Sequence, residues 1–390
     1  MVAAAFSAKP ASKKSKPLQW SLDAALAIPV FALFGISLVM VFSASMNSQA
    51  LEQGPTLSAL VQQGVIMVLA LVLMLGTSRL PLDLVQRMGP LLVVASLFVL
   101  ALILVPGVGY EAWGAVRWIQ LGPTTLQPSE FAKVFLVVYI AGYLTRKKDD
   151  LVRFNEGILA ISIVLGAFGA LLLMEPDFGS TVVIVATAFA MLFLGGIRWL
   201  HFFLIIGVAA LGAVLLISFA SYRLARVSAF MDPWADPMNK GYQLIQSYIA
   251  FGRGGWTGIG LGESIQKLNY LPAAKTDFLF AVISEELGFV GVAVVLGLFM
   301  ALIWRAFELS RRAESAGNLF ACRLAQGIAL LIAIQVLINT GVNMGLLPTK
   351  GLTLPFLSQG GSSLLASSMA MGLLFAVARE TTPVAGRKKR

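Results

Sequence analysis

The chain has 390 residues, 58% hydrophobic and 12% charged, with mean hydropathy +0.85; that excludes a soluble globular domain, where about a quarter of residues are charged. Its net charge of +10 suits basic loops held against anionic lipid headgroups, and nucleic-acid binding is not expected. One cysteine (Cys322) and one histidine (His201) exclude an internal disulfide and any Cys/His zinc site.

Apolar runs near the bilayer-crossing length of about 17–25 residues occur around 22–46, 58–78, 89–106, 130–145, 158–174, 180–197, 200–220, 278–305, 324–346 and 362–380. The chain therefore reads as an all-α polytopic membrane protein of about ten spans. A single transmembrane domain, 21–381, lies between basic cytoplasmic tails at 1–20 and 382–390. The first tail is small and basic and is expected to be disordered. The first span ends at Ser43-Ala44-Ser45, a weak cleavage pattern, yet its apolar run is too long for a signal peptide, so an uncleaved helix is expected. Most of the 29 Lys and Arg fall in alternate connections such as Arg146-Lys147-Lys148, which places both termini inside. The outward connections are then Gly107–Gln127, Glu175–Gly179, Ser221–Asp277 and Leu347–Gly361. No repeat of 20–50 residues is present.

The loop Ser221–Asp277 is long for a connection without its own domain, and such loops are usually functional. Tyr242, Ile245, Tyr248 and Ile249 recur at helical spacing, predicting an amphipathic helix lying at the interface. Gly252, Gly254, Gly255, Gly258, Gly260 and Gly262 follow. They lack the Gly-Lys-Ser/Thr ending of a nucleotide loop and predict a tight re-entrant turn. Asp277 closes the loop at the mouth of the eighth span. A carboxylate there suits a general base, with burial raising its basicity and Lys275 lowering it. From spacing alone a helix cap is the stronger reading, because caps are the commoner job for Asp at this position.

Glu285 and Glu286 lie deeper, where an unpaired acid is costly, so a cation or polar interior must face at least one of them. Glu130 and Lys133 share a helix face and can simply pair, or Lys133 and Arg117 can meet an anionic ligand. Arg117 offers the planar fork that suits phosphate; it can also snorkel beside Trp113 and Trp118 in an aromatic belt. Glu175 and Asp177 add two outer acids. Lys350, Ser358, Gln359 and Ser362 belong to a broken, hydroxyl-rich approach to the last span. Irregular backbone at that depth requires burial by protein or a water-lined cavity. The residues alone describe an outward cavity with acids and cations, suited to a transporter or to an enzyme acting on a lipid-linked anion.

Five motifs stand in order along the chain. They are Gly114-Ala115-Val116-Arg117-Trp118-Ile119, Gln127-Pro128-Ser129-Glu130-Phe131-Ala132-Lys133, Glu175-Pro176-Asp177-Phe178-Gly179-Ser180, Thr276-Asp277-Phe278-Leu279-Phe280-Ala281 with Glu285-Glu286-Leu287-Gly288, and Gly360-Gly361-Ser362-Ser363. Together they resemble the SEDS family (shape, elongation, division and sporulation) of bacterial cell-wall synthesis. The segment Pro348–Phe356 is similar to that of the family's division members. The resemblance implies a peptidoglycan glycosyltransferase polymerising lipid II into β-1,4 glycan with inversion. It implies the bacterial cytoplasmic (inner) membrane at the division septum, with the active site facing the periplasm.

On that resemblance Asp277 is the catalytic base on the acceptor 4-hydroxyl. Arg117, Lys133, Lys350 and Lys275 would bind the diphosphate, since preorganised cations stabilise a leaving group's developing charge. Glu175, Glu286, Ser358, Gln359 and Ser362 complete the expected substrate-binding set. No metal-ligand set is read, although a divalent cation, Mg or Mn, could share the diphosphate's charge. The implied partners are a class B penicillin-binding protein and other divisome membrane proteins. Two departures stand out: Ala273 and Lys275 replace the family's Glu and His, and Gln359 stands where Tyr is common. Rival readings are a lipid II flippase or transporter, the elongation-type polymerase, and a non-catalytic divisome scaffold.

Overall fold

The computed structural model describes residues 23–45, 57–112, 115–122, 124–148, 150, 157–218 and 221–381; the two tails and Trp113 lie outside them. Helices α1 (Ala24–Ser45), α2 (Leu57–Ser78) and α3 (Leu82–Ile103) lead into strands β1 (Tyr110–Ala112), β2 (Ala115–Leu121) and β3 (Thr124–Leu126). Then come α4 (Pro128–Arg146), α5 (Leu159–Met174), α6 (Phe178–Gly195) and α7 (Trp199–Ser218). Short helices α8 (Ser221–Met231) and α9 (Tyr242–Gly254) lie in the long loop, before α10 (Leu279–Ser315), α11 (Leu319–Asn343) and α12 (Gly361–Thr381). Among the described residues the ten longer helices overlap the ten expected segments. Among the described residues, seven of them are long and apolar enough to cross a membrane.

Local chemistry sets the helix ends. Pro128 opens α4 at its first turn, where a missing N–H costs nothing. Asp177 accepts from Ser180 N at 3.1 Å to cap α6, and Gly196 ends that helix at φ +92°. Asn318 accepts from Ala321 N at 3.0 Å to start α11. Helix α3 begins at Leu82 rather than near residue 89, with Pro90 inside it. The connection Gly107–Gln127 is not plain loop: β1, β2 and β3 form an antiparallel meander, pairing Tyr110 with Trp118 and Ile119 with Leu126. The core centres on α4, α11 and α12, whose residues are mostly buried. Helix α7 exposes Leu200, Phe203, Val208 and Leu211, the surface a lipid-facing helix requires.

The decisive irregularity is in α10, whose helical path breaks at Gly288 (φ +64°, ψ −163°), a conformation open only to glycine. Groups freed by a break in a span need partners, and the glycine-rich loop after α9 supplies them. Ile259 N donates to Glu285 O at 3.0 Å and Gly260 N to Glu286 O at 3.1 Å. In return, Phe289 N donates to Gly255 O at 2.9 Å and Val290 N to Trp256 O at 3.1 Å. This is the expected re-entrant turn, closed on the broken helix. Helix α9 forms where the spacing predicts, but packs on protein: Leu244, Ile245 and Ala250 are buried, Ile249 is exposed, and Ser247 donates to Asn343 O at 2.7 Å.

A Cβ on Gly258 would sit 2.1 Å from Glu286 O, and Gly258 has φ +80°. Gly258→Ala is therefore expected to lower stability by at least about 2 kcal/mol. Gly207→Ala, in open space on α7, serves as the control expected to be neutral. Thermal unfolding of both in detergent checks this.

Candidate functional site

A cavity of about 740 Å³ opens where the sheet, the start of α4, the turn before α10 and the approach to α12 converge. Arg117 and Trp118 come from β2, Gln127 and Glu130 from α4, Gln62 from α2 and Arg226 from α8. Pro272, Ala273, Thr276, Asp277, Phe278, Thr349–Gly351 and Gly360–Ser363 supply most of the remaining wall.

Asp277 is presented by a turn clamped through its backbone. Thr276 N and Phe278 N both donate to Ala273 O, at 3.0 and 3.2 Å, with Ala273 at φ +58°. Gln359 N donates to Lys275 O at 2.9 Å, and Ser358 Oγ to Thr276 O at 2.5 Å. The side-chain amides of Asn339 and Asn343 both donate to Asp277 O at 3.0 Å. The carboxylate itself takes no part: the residue preceding α10 is Phe278, and no side chain caps that helix. The capping reading of Asp277 thus gives way to one that leaves the carboxylate available. Burial raises its pKa to about 6 and nearby Glu130 adds to the rise, while Arg117 and Arg226 oppose them. The opposing cations are those two, in place of the expected Lys275.

The other expected site residues separate into two groups. Arg117, Lys350, Gln359 and Ser362 line the cavity with Asp277. Arg117 Nε donates to Glu175 O at 3.1 Å and its Nη2 to Pro176 O, so the guanidinium is oriented by neutral carbonyls and keeps its charge for a ligand. Lys350 Nζ lies 4.0 Å over the Phe178 ring; burial and then Arg226 bring its pKa down to about 8. Ser362 Oγ accepts from Gln127 N at 2.7 Å.

Lys133, Lys275, Glu175, Ser358 and Glu286 do not line the cavity. Lys133 is spent on Glu130 at 2.7 Å, with its side chain 1% exposed. Lys275 contributes its carbonyl to the turn, and Ser358 is a backbone clamp that also accepts from Leu354 N at 2.9 Å. Glu175 is fully buried beside Arg117 with neither oxygen bonded among the described residues. Burial, then Asp177, raises its pKa to about 8 against the pull of Arg117, so it is neutral at pH 7. Glu286 pairs with Lys267 Nζ at 3.0 Å and accepts from Ser43 Oγ. The Ser43-Ala44-Ser45 run that resembles a cleavage site thus supplies a buried donor.

Sequence reasoning missed Arg226, Gln62, Lys267 and the Asn339/Asn343 pair. The asparagines did leave a signal, being polar groups one turn apart inside an apolar span. Arg226 left none.

The fold and cavity together define a polytopic membrane protein with cations and a carboxylate lining one cavity. A family model, FTSW_RODA_SPOVE, described as "Cell cycle protein", matches residues 24–383, and the chain belongs to that family. It is similar to the "Probable peptidoglycan glycosyltransferase FtsW" of Nitrosococcus halophilus, 48% identical over 350 residues and 90% of each chain. The protein of the same name from Thioalkalivibrio sulfidiphilus is also 48% identical, over 92% of this chain and 90% of its own. Among solved structures, a chain of a peptidoglycan synthase complex described as coordinating polymerization and crosslinking aligns with TM-score 0.73 at 33% identity, covering 92% of this chain and 98% of that one. The rod shape determining protein RodA of Thermus thermophilus aligns with TM-score 0.67 at 29% identity, covering 93% and 98%.

Because folding raises the Asp277 pKa, the folded state holds that proton more tightly. Stability is therefore lost as pH rises from about 4 through about 6. Asp277→Asn, which carries no charge, is expected to be about 1–3 kcal/mol more stable than wild type at pH 7.5. The gain should vanish near pH 4, as read by thermal unfolding at the two pH values.

Proposed function

We propose that this chain polymerises lipid II into β-1,4 glycan, with Asp277 as the base. Family membership and high-coverage relatives named peptidoglycan glycosyltransferase make it a glycosyltransferase of cell division. The observation that carries the mechanism is the Asp277 carboxylate, half-buried and unbonded among the described residues, in a cavity that also holds Arg117, Lys350 and Arg226.

Asp277 removes the proton from the acceptor GlcNAc 4-hydroxyl, for which it must come within about 3 Å directly or through one water. That oxygen attacks the donor MurNAc anomeric carbon from the face opposite the diphosphate. As the new C–O bond forms, the bond to the diphosphate oxygen breaks and the polyprenyl diphosphate leaves with the electron pair. The α-linked donor thereby becomes a β-linked product. Arg117 and Lys350 face the charge that develops on the leaving group, and a pKa near 6 keeps Asp277 ionised yet basic at neutral pH.

The active site faces the periplasm at the septum of the inner membrane, where the lipid-linked donor is presented. A class B penicillin-binding protein crosslinks the strand, with other divisome proteins alongside. The likeness to a chain from a complex that couples polymerization to crosslinking supports that partner. No group of three or more acids, His or Cys converges among the described residues, and no step is routed through a metal. A flippase would need the cations but no base, and a half-buried carboxylate unbonded among the described residues favours the enzyme.

The test is polymerisation of labelled lipid II by the chain with its penicillin-binding partner, whose transpeptidase is blocked. Wild type is expected to make glycan at a rate that falls below about pH 6, and Asp277→Ala to lose about 100-fold or more. Equal polymer from both would remove Asp277 from the mechanism. No polymer from a verified complex that binds lipid II would move the assignment to transport or scaffolding.

A further inference from the structure

Lys267 and Glu286 form an ion pair with side chains 2% and 0% exposed. Apolar residues of similar volume often serve stability as well as a buried pair does, so this pair calls for another explanation. Its bonds are directional. Lys267 Nζ donates to Glu286 Oε1 at 3.0 Å, to Ser43 Oγ at 3.0 Å and to Gly262 O at 2.6 Å. Ser43 Oγ in turn donates to Glu286, 2.6 and 2.7 Å from its two oxygens. Next door, Glu285 accepts from Ser264 Oγ and from Gln266 N at 3.3 Å, and pairs with Arg253 Nε at 3.2 Å. Residues 262–267 are thereby pinned to α10 and α1.

From that anchor the chain runs to Asp277 through two non-glycine residues with left-handed backbone, Asn269 at φ +70° and Ala273 at φ +58°. Leu271 between them is buried, its N–H bonded to Gln266 O at 2.8 Å. Such backbone persists only where its surroundings over-determine it. The far end is held by Asn339 and Asn343 through Asp277 O; the near end is held by Lys267. None of Lys267, Glu286 and Ser43 lines the cavity.

We infer that Lys267, Glu286 and Ser43 are positioning residues for the reaction, forming an anchor that holds the 268–276 segment in its left-handed path and so aims the Asp277 carboxylate into the cavity. The inference rests on the proposed glycosyltransferase reading. Releasing the anchor lets the segment relax to ordinary backbone and lets water reach the carboxylate. A general structural role predicts something different: any broken tie between α1 and α10 would act alike. The Arg305–Asp23 pair, Nη2 to Oδ2 at 2.5 Å, links the same two helices at their other end and provides that comparison.

The experiment uses the complex with its partner and compares wild type with Lys267→Met, Ser43→Ala, the exchange Lys267→Glu/Glu286→Lys, and Asp23→Asn. It measures kcat and KM on lipid II from pH 5 to 9, together with hydrogen exchange of residues 264–277. Lys267→Met is expected to lower kcat about tenfold or more with KM within about twofold. Its acid limb should move to lower pH, and exchange in 264–277 should speed up. Ser43→Ala, which keeps the ion pair, should shift all three in the same direction by less, and covers the case in which Lys267→Met does not fold. The exchange variant should recover most of the rate, and Asp23→Asn should leave the acid limb and the exchange of 264–277 at wild-type values. Wild-type kcat and acid limb in both Lys267→Met and Ser43→Ala would overturn the inference, as would the same losses in Asp23→Asn. If wild type makes no glycan, the glycosyltransferase reading fails separately, and unchanged exchange in Lys267→Met then overturns the anchor itself.

Discussion

Inside a bilayer a backbone N–H or C=O without a partner costs several times what it costs near water, and helix α10 breaks its own ladder at Gly288. The rest of the site depends on how that break is closed. The loop after α9 pairs with residues on both sides of it, and only glycine lets the two backbones approach so closely: a Cβ on Gly254 would lie 1.9 Å from Ser284 O. Glu285 and Glu286, immediately before the break, then take hold of the returning chain through Ser264 and Lys267. That returning chain ends in Asp277. A local loss of helical hydrogen bonding is what docks this polar segment against α10 and leads it to Asp277.

The acids around the cavity differ in how they are partnered. Asp177 is satisfied by Ser180 N, Gln127 and Ser129, Glu130 by Lys133, and Glu286 by Lys267 and Ser43. Asp277 has no such partner among the described residues; burial raises its affinity for a proton while Arg117 and Arg226 keep the rise moderate. Glu175 is fully buried, and burial and Asp177 raise its pKa to about 8. Its peptide carbonyl, rather than its carboxyl, orients Arg117. A cation held by carbonyl dipoles retains its full charge for an incoming anion, which a salt bridge would cancel.

Lys133 and Glu286 illustrate a limit of reading charges along a chain. Both were expected to meet substrate, and both are consumed inside the protein, because a buried charge must first find a partner. Ser358 likewise serves backbone rather than ligand. Arg117 and Lys350 escape that fate because their immediate neighbours are carbonyls and an aromatic ring, neither of which neutralises a cation.

The sequence by itself determined the membrane class, the positions of the apolar helical segments, the glycine turn and the placement of Asp277 at the mouth of a span. Hydrophobic run length, glycine spacing and a carboxylate at a span's mouth are local properties, set by bilayer thickness and backbone sterics. Only the tertiary structure decided which charges remain available, that Gly107–Gln127 folds as a small sheet, and that Ser43, Lys267, Asn339 and Asn343 hold the segment carrying Asp277. The last of these depends on contacts between residues more than sixty apart in the chain. A side chain's partner across such a span is fixed by how helices pack, which no spacing along the chain records.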